Sequence, residues 1–473
     1  MNKYKTLLSN TLLISMGTFG SKILVFLMVR FYTGYLTPSD YSTADLITQT
    51  ANLLFPIISM GIADGVFRFV LDKESDKKSV FSIGVGCILV GSLLFAVIIP
   101  LLNLMEDFKG YVWLIVVYTL ASCLHSLCVY YLRAIGKTAL FALQGIINTM
   151  LVILLNILFL AAFNMGIMGY VLSVVLADGL CTLFLVIKEK LWNVITFDPD
   201  KSLIAPMLKY SIPLIPTTVF WWVTSVSNRY MVNEIIGSEA NGLFAVSYKL
   251  PTVLTLVATM FMQAWQYSAV AEDDGNKEEH TLFFGSVWRS FQAVMFLAGS
   301  GIIVFTKVAM KILTASEFYN AWKYVPFLSV AMIYTAFVSF TGTVYTVNKK
   351  SVLSFLTAFA GALSNIILNL ILIPSPLGVQ GAAIATVLSY LIVFVIRCFN
   401  IKKYIPFNLH IGHIIANSVI VILQSVVMIF EIKYWIFIEI NCLLLMFIIN
   451  YKFIAPFIEK IFNILLRRKK KNV

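Results

Sequence analysis

Apolar runs long enough to cross a bilayer recur along this chain from end to end, separated by short polar turns. A run of about 20 apolar residues spans the hydrocarbon core as a helix, and a helix satisfies its own backbone polar groups in lipid. Of the 473 residues, 60% are hydrophobic and only 12% are charged, which no soluble globular domain matches. The chain is therefore expected to be an all-α integral membrane protein with about fourteen transmembrane helices. The spans are placed near 10–32, 41–70, 80–103, 111–132, 139–163, 168–187, 210–233, 242–270, 281–306, 321–346, 351–373, 380–400, 412–430 and 434–451. Turn-forming clusters such as Thr37-Pro38-Ser39-Asp40 and Pro374-Ser375-Pro376 punctuate them. Lys3 and Lys5 precede an apolar run that holds Lys22 and lacks a small-residue cleavage site, so that run is read as a retained helix.

The net charge of +12 would point to nucleic acid in a soluble protein; here it reflects the bias of cytoplasmic loops toward Lys and Arg. With both termini inside, the cytoplasmic set includes Lys73, Lys77, Lys78, Arg133, Lys137, Lys188 and Lys190 and the basic tail. The outer set holds only Lys109, Lys307, Lys311, Lys323 and Lys433. The acidic loop Glu272–Glu279 counts little in this rule. The six cysteines all fall in apolar spans and form no CxxC pair, so neither a disulfide nor a metal site is expected. No cofactor is expected either. From Phe453 to Leu466 the tail alternates apolar residues at helical spacing before Arg467-Arg468-Lys469-Lys470-Lys471. It reads either as an interfacial helix drawn to anionic lipid or as a solvated tail that enforces topology.

The chain repeats itself. Leu155-Asn156-Ile157 followed by Gly166-Ile167-Met168-Gly169 matches Leu368-Asn369-Leu370 followed by Gly378-Val379-Gln380-Gly381. The turn Leu36–Tyr41 likewise matches Gly237–Gly242. Two six-helix lobes related by a pseudo-twofold axis follow, with a site expected between them. The expected organisation is an N-terminal lobe over 1–200, a C-terminal lobe over 201–410, two additional helices over 411–451 and an amphipathic basic cytoplasmic tail over 452–473.

Seven cations remain inside spans: Lys22, Arg30, Arg68, Arg229, Lys249, Arg289 and Arg397. A lone cation at mid-depth in lipid costs about 2.5–3.5 kcal/mol, so such residues usually face water or a partner. Arg30, Arg229, Arg68 and Arg397 lie near span ends, where snorkelling explains them. Lys22, Lys249 and Arg289 are deeper and point to a watery cavity. The intramembrane acids are Asp45, Asp64, Asp178 and Glu439. Asp64 and Arg68, four residues apart, are placed to neutralise each other. Asp45 and Asp178 either pair structurally or take up a coupling cation, and His125 reads as a satisfied core histidine. The positive surplus suits an anionic substrate: Arg offers bidentate bonds to phosphate and Lys a point charge. Trp221, Trp222, Tyr230, Tyr248, Trp265 and Tyr267 crowd the same region, as sugar-stacking faces or as ordinary packing. Pro56, Pro213, Pro216, Pro251 and Pro326 are candidate kinks.

No nucleotide motor is visible. Gly136-Lys137-Thr138 lacks the earlier glycine of a phosphate loop, Tyr131 standing in its place. Loops are too short for a soluble catalytic domain, so no enzymatic or catalytic residues are expected.

The fourteen-span plan and three strings carry a resemblance. They are Leu53-Leu54 with Met60-Gly61-Ile62-Ala63-Asp64-Gly65-Val66-Phe67-Arg68-Phe69, Ser211-Ile212-Pro213-Leu214-Ile215-Pro216, and Ser227-Asn228-Arg229-Tyr230. The chain resembles the polysaccharide transporters, the O-antigen and capsule repeat-unit flippases of the multidrug/oligosaccharidyl-lipid/polysaccharide (MOP) exporter superfamily. The resemblance implies a MATE-like fold, two lobes around a cationic cavity, and a seat in the bacterial cytoplasmic membrane. It implies translocation of an undecaprenyl-diphosphate-linked oligosaccharide from the inner to the outer leaflet. Lys22, Arg229, Lys249 and Arg289 would hold the diphosphate, with Arg30 and Arg68 flanking its path. Asp45, Asp64 and Asp178 are the candidates for coupling to H+ or Na+. Membrane lipid and polysaccharide polymerase or export proteins are the expected partners, and nucleic acid is not. Asn228 stands where the family often has Asp, which leaves Arg229 without that neighbour. Ser21-Lys22 is similar to the Ser-Arg of peptidoglycan-precursor flippases, but Met28 and Phe55 or Pro56 occupy positions where those carry further arginines, which argues against that branch. A multidrug extrusion antiporter of the same superfamily and a membrane glycan polymerase are the competing readings.

Overall fold

The structure is a computed structural model that describes residues 24, 26–72, 75–271, 277–348 and 350–469. Lys22, the loop residues 272–276 and Lys470-Lys471 lie outside the described residues, as does most of the first expected span. The chain divides into two compact units: residues 1–245 with 313–318, and residues 246–312 with 319–473.

The first unit contains α1 (Val29–Tyr35), α2 (Pro38–Ile58), α3 (Ile62–Val70), α4 (Lys77–Ser92), α5 (Phe95–Leu102), α6 (Val112–Ala134), α7 (Thr138–Asn156), α8 (Gly166–Glu189), α9 (Ile204–Ser211) and α10 (Ile215–Ile235), with most of α11 (Ser238–Ser247). Thr37 starts α2 by a capping box: its hydroxyl accepts from the Asp40 N–H while the Asp40 carboxylate accepts from the Thr37 N–H, and Pro38 supplies the pre-set first turn. Asp76 caps α4 through the N–H groups of Lys78 and Ser79. Helix α6 packs against α2, α3 and α8, and α7 lies along α8. Their inward stripes build a core around Leu46, Ile47, Val66, Ile115, Leu132 and Val171.

The second unit contains α12 (Thr252–Ala271), α13 (Lys277–Leu313, all but its last residue), α14 (Val325–Val347), α15 (Ser351–Leu372), α16 (Val379–Ile401), α17 (Ile411–Ile429) and α18 (Trp435–Lys469). Helix α14 is the most enclosed of its spans and packs on α12, α16 and α17. The core here is aromatic. The Trp288 ring meets Phe337, Phe340 and Phe394 with centroids 5.0, 5.1 and 6.0 Å away, and Trp265 stacks on Phe340 at 5.2 Å. Helix α18 runs unbroken through the expected boundary at residue 452, so the tail continues the last span.

Ten described helices are long and apolar enough to cross a membrane, and three bent pairs bring the number to thirteen. The run at 10–32 would be the fourteenth. The protein is thus a multi-pass helical membrane protein. The bends have local causes. At the 51° break between α2 and α3, Met60 and Gly61 both take left-handed backbone, with φ of 53° and 62°. At the 41° break between α11 and α12, Pro251 interrupts the bonding ladder. Pro213 lies in a 3₁₀ turn that joins α9 to α10, and Pro216 lies in the first turn of α10. Pro326, expected as a kink, instead sits in the first turn of α14, where its missing N–H costs nothing.

The turn before α2 and its match before α11 touch each other. The Ser39 and Ser238 hydroxyls lie 2.7 Å apart, and the Asn241 side-chain amide donates to the Ser42 hydroxyl at 2.8 Å; both pairs are 199 residues apart in sequence. Gly242 makes this approach possible, since a Cβ there would collide with the Pro38 carbonyl oxygen.

Candidate functional site

The structure gives both Arg30 and Arg229 a partner. On α10, Arg229 is buried, and its Nη1 donates to both carboxylate oxygens of Asp45 on α2, at 2.7 and 2.6 Å. On α1, the Arg30 guanidinium donates to the Thr314 carbonyl, and the Ala315 N–H donates to the nearby Thr33 hydroxyl at 3.0 Å. One turn beyond Arg229, the Asn233 amide donates to Asp107 at 2.7 Å. Both arginine-bearing helices are therefore tied to an acceptor elsewhere in the first unit. Burying Arg229 away from Asp45 would cost several kcal/mol, so the pair stands or falls together.

The remaining cations sort differently. Lys249 is half-buried in the break between α11 and α12, where its N–H donates to the Val246 carbonyl at 2.9 Å. Arg289 on α13 donates through Nε and Nη2 to the His410 Nε2, at 3.0 and 2.6 Å, and stacks 5.0 Å from the Phe453 ring on α18. It thereby joins α13 to the two C-terminal helices. Arg397 does not snorkel. It is 2% exposed, donates to the Thr357 hydroxyl at 3.1 and 2.8 Å and to the Val338 carbonyl at 2.6 Å, and covers the Tyr345 ring. Asp64 and Arg68 are both exposed and form no ion pair, contrary to the expected neutralisation. Lys22 lies outside the described residues.

Asp178 anchors a polar network among α6, α7 and α8. It accepts from the Ser122 hydroxyl and the Asn148 amide, each at 2.8 Å, and lies 3.4 Å from His125 Nδ1. The other His125 nitrogen is 3.0 Å from the Gln144 side-chain oxygen. The histidine is thus partnered on both sides. Among the described residues, no three His, Cys, Asp or Glu side chains gather as a metal site would require.

Of the aromatics, Trp222 and Tyr230 bind back to α2, through the Gln49 carbonyl at 3.1 Å and the Thr50 hydroxyl at 2.8 Å. Trp265 is enclosed in the second core and donates to Thr343 at 3.3 Å. These are packing roles. The Tyr267 side chain lies outside the described residues.

Helices broken inside apolar spans, cations within those spans and an internal repeat are features that many membrane transporters share. The chain belongs to the polysaccharide biosynthesis protein family, whose signature matches residues 7–267, more than half its length. A search of the curated proteins found no match. Among solved structures, a lipid II flippase, MurJ, in an inward closed conformation is similar over 94% of this chain and 100% of its own, with TM-score 0.70 and 17% identity. An inward-facing multidrug resistance MATE family transporter of the MOP superfamily matches 81% of this chain and 95% of its own, with TM-score 0.66 and 13% identity. A MOP superfamily transporter from Pyrococcus furiosus matches 83% of this chain and 95% of its own, with TM-score 0.57 and 15% identity. The MATE-like fold that the resemblance implied is the fold of this protein.

Proposed function

We propose that this protein moves an undecaprenyl-diphosphate-linked oligosaccharide from the inner to the outer leaflet of a bacterial cytoplasmic membrane, with both its termini cytoplasmic, in the assembly of a surface polysaccharide. Membership in a polysaccharide biosynthesis family carries this reading, and the flippase-like helical path supports it. A substrate with a diphosphate needs cations, and Lys249, half-buried at a 41° bend between two apolar helices, is the residue of the set we favour. Lys22, Arg289 and Arg229 complete the proposed anion path, with Arg30 and Arg68 flanking it. Arg229 acts there through its pair with Asp45, which keeps it ordered and partly neutralised. Asp178, with His125 beside it, is the preferred site for an H+ or Na+ coupling step; Asp45 is committed to Arg229, and Asp64 is open to its surroundings. The six-helix lobes of 1–200 and 201–410 are the proposed moving parts, with 411–451 added to the second and 452–473 as a cytoplasmic tail. Polymerase or export proteins would take up the translocated unit.

In cells lacking the gene, wild-type chain is expected to restore surface polysaccharide, and Lys249→Gln to lower it at least about 10-fold at equal protein level, as loss of a charge-assisted phosphate contact predicts. Full restoration by Lys249→Gln contradicts this assignment of the site. Multidrug extrusion is the second reading, favoured by the MATE-like fold.

A further inference from the structure

A half-open groove of about 340 Å³ lies between helices α12 and α14 of the second unit. Four hydroxyls line it, two from each helix and four residues apart on each: Thr255 and Thr259, Thr335 and Ser339. That spacing puts each pair on one helix face. Every one of these hydroxyls donates its hydrogen to its own helix. Thr255 donates to the Thr252 carbonyl at 2.6 Å, Thr259 to Thr255 at 2.7 Å, Thr335 to Ala331 at 2.9 Å and Ser339 to Thr335 at 3.0 Å. With their hydrogens spent, the four oxygens present lone pairs to the groove.

The rest of the lining is Ala258, Ala336 and two methionines. Among the described residues, no charged group takes part. A phosphate, which brings only acceptors, finds no cation and no ready donor there. An inorganic cation finds no carboxylate. The lining suits an uncharged ligand that brings several O–H donors and also an apolar face to lie against the alanines and methionines. A sugar ring has both. The volume falls at the lower end of ligand pockets, about 300–1,000 Å³, so a small portion of a saccharide fits rather than a long chain.

We infer that this groove binds neutral sugar residues of the transported saccharide through their hydroxyls, while the diphosphate is held elsewhere by cations. The inference rests on the flippase reading and divides the substrate between two kinds of site. The small side chains matter as much as the hydroxyls, because Ala258 and Ala336 leave the space that the ring occupies.

The test measures binding of two probes to the purified full-length protein in lipid nanodiscs: undecaprenyl diphosphate alone, and the same lipid carrying a neutral disaccharide. Wild type is expected to prefer the glycosylated probe. The double variant Thr259→Val, Ser339→Ala is nearly isosteric and is expected to lower that preference at least about 10-fold, each lost hydrogen bond contributing roughly 3- to 10-fold. Its affinity for the bare lipid should be unchanged. Ala336→Leu, which fills the groove, should do the same by exclusion. An undiminished sugar preference in both variants overturns the assignment. So does a parallel loss of bare-lipid affinity, which would give the groove to the polyprenyl chain. Equal wild-type affinity for the two probes overturns the sugar site alone, whereas failure of wild type to bind either overturns the flippase reading together with it.

Discussion

Asp45 and Arg229 show what a buried charge does in this protein. Each is nearly enclosed, and the guanidinium meets both carboxylate oxygens. Removing one partner leaves the other charged and desolvated, at a cost of about 3–5 kcal/mol. Arg229→Ala and Asp45→Ala are each expected to lower the melting temperature of the purified protein sharply. The double variant should be closer to wild type than the sum of the two, which a double-mutant cycle reads directly. Additive losses would mean that the two side chains act independently. The presence of Arg229 in an apolar span was legible in the sequence, and so was Asp45. Their pairing was not, because 184 residues separate them and spacing along one helix says nothing of a neighbour on another. The same limit hid Arg397. Its place near a span end suggested snorkelling, yet Thr357 and the Val338 carbonyl draw it inward. Asp64 and Arg68 failed in the opposite sense: their i, i+4 spacing is right, but both side chains are exposed and do not meet.

At the scale of elements, the two C-terminal helices are held to one another and to α13 by polar contacts. Asn417 and Asn450 exchange hydrogen bonds between α17 and α18, and the Gln424 amide donates to Glu439 at 3.0 Å. Arg289 then joins α13 to His410, just before α17, and to Phe453 on α18. The arginine donates to His410 Nε2, so this contact requires a neutral imidazole. Burial, with Arg289 and then His413 beside it, holds the His410 pKa below its ordinary value near 6.5. Between the lowered folded value and the unfolded value, the unfolded chain binds more protons. The contribution is therefore complete above about pH 6.5 and is lost as pH falls toward the folded value. Wild type is expected to lose more thermal stability between pH 7.5 and pH 5.5 than His410→Gln does. Equal losses would show that the histidine does not hold this contact. Most turn positions and the bend at Pro251 were readable from the sequence, since polar turns and proline act locally, whereas the length of α18 and the Met60-Gly61 break between α2 and α3 were not. The role of Pro326 was not, because a proline in the first turn of a helix looks, in sequence, like one inside it.

For the whole molecule, the repeat was the most informative sequence signal. It anticipated a duplicated helical plan, and the two turns it paired touch through Ser39 and Ser238. The family match and the likeness to MOP superfamily structures agree with that plan. What a diffuse set of motifs does not convey is substrate chemistry, because cations at several depths serve many anions. The central claim is that the transported molecule is a lipid-linked saccharide. It is tested most directly in proteoliposomes that hold a fluorescent undecaprenyl-diphosphate oligosaccharide, by following its transfer between leaflets with a membrane-impermeant quencher. Protein-dependent transfer that Lys249→Gln slows at least about 10-fold is the predicted result. No transfer of the lipid, with proton-driven export of a cationic dye by the same vesicles, would contradict it.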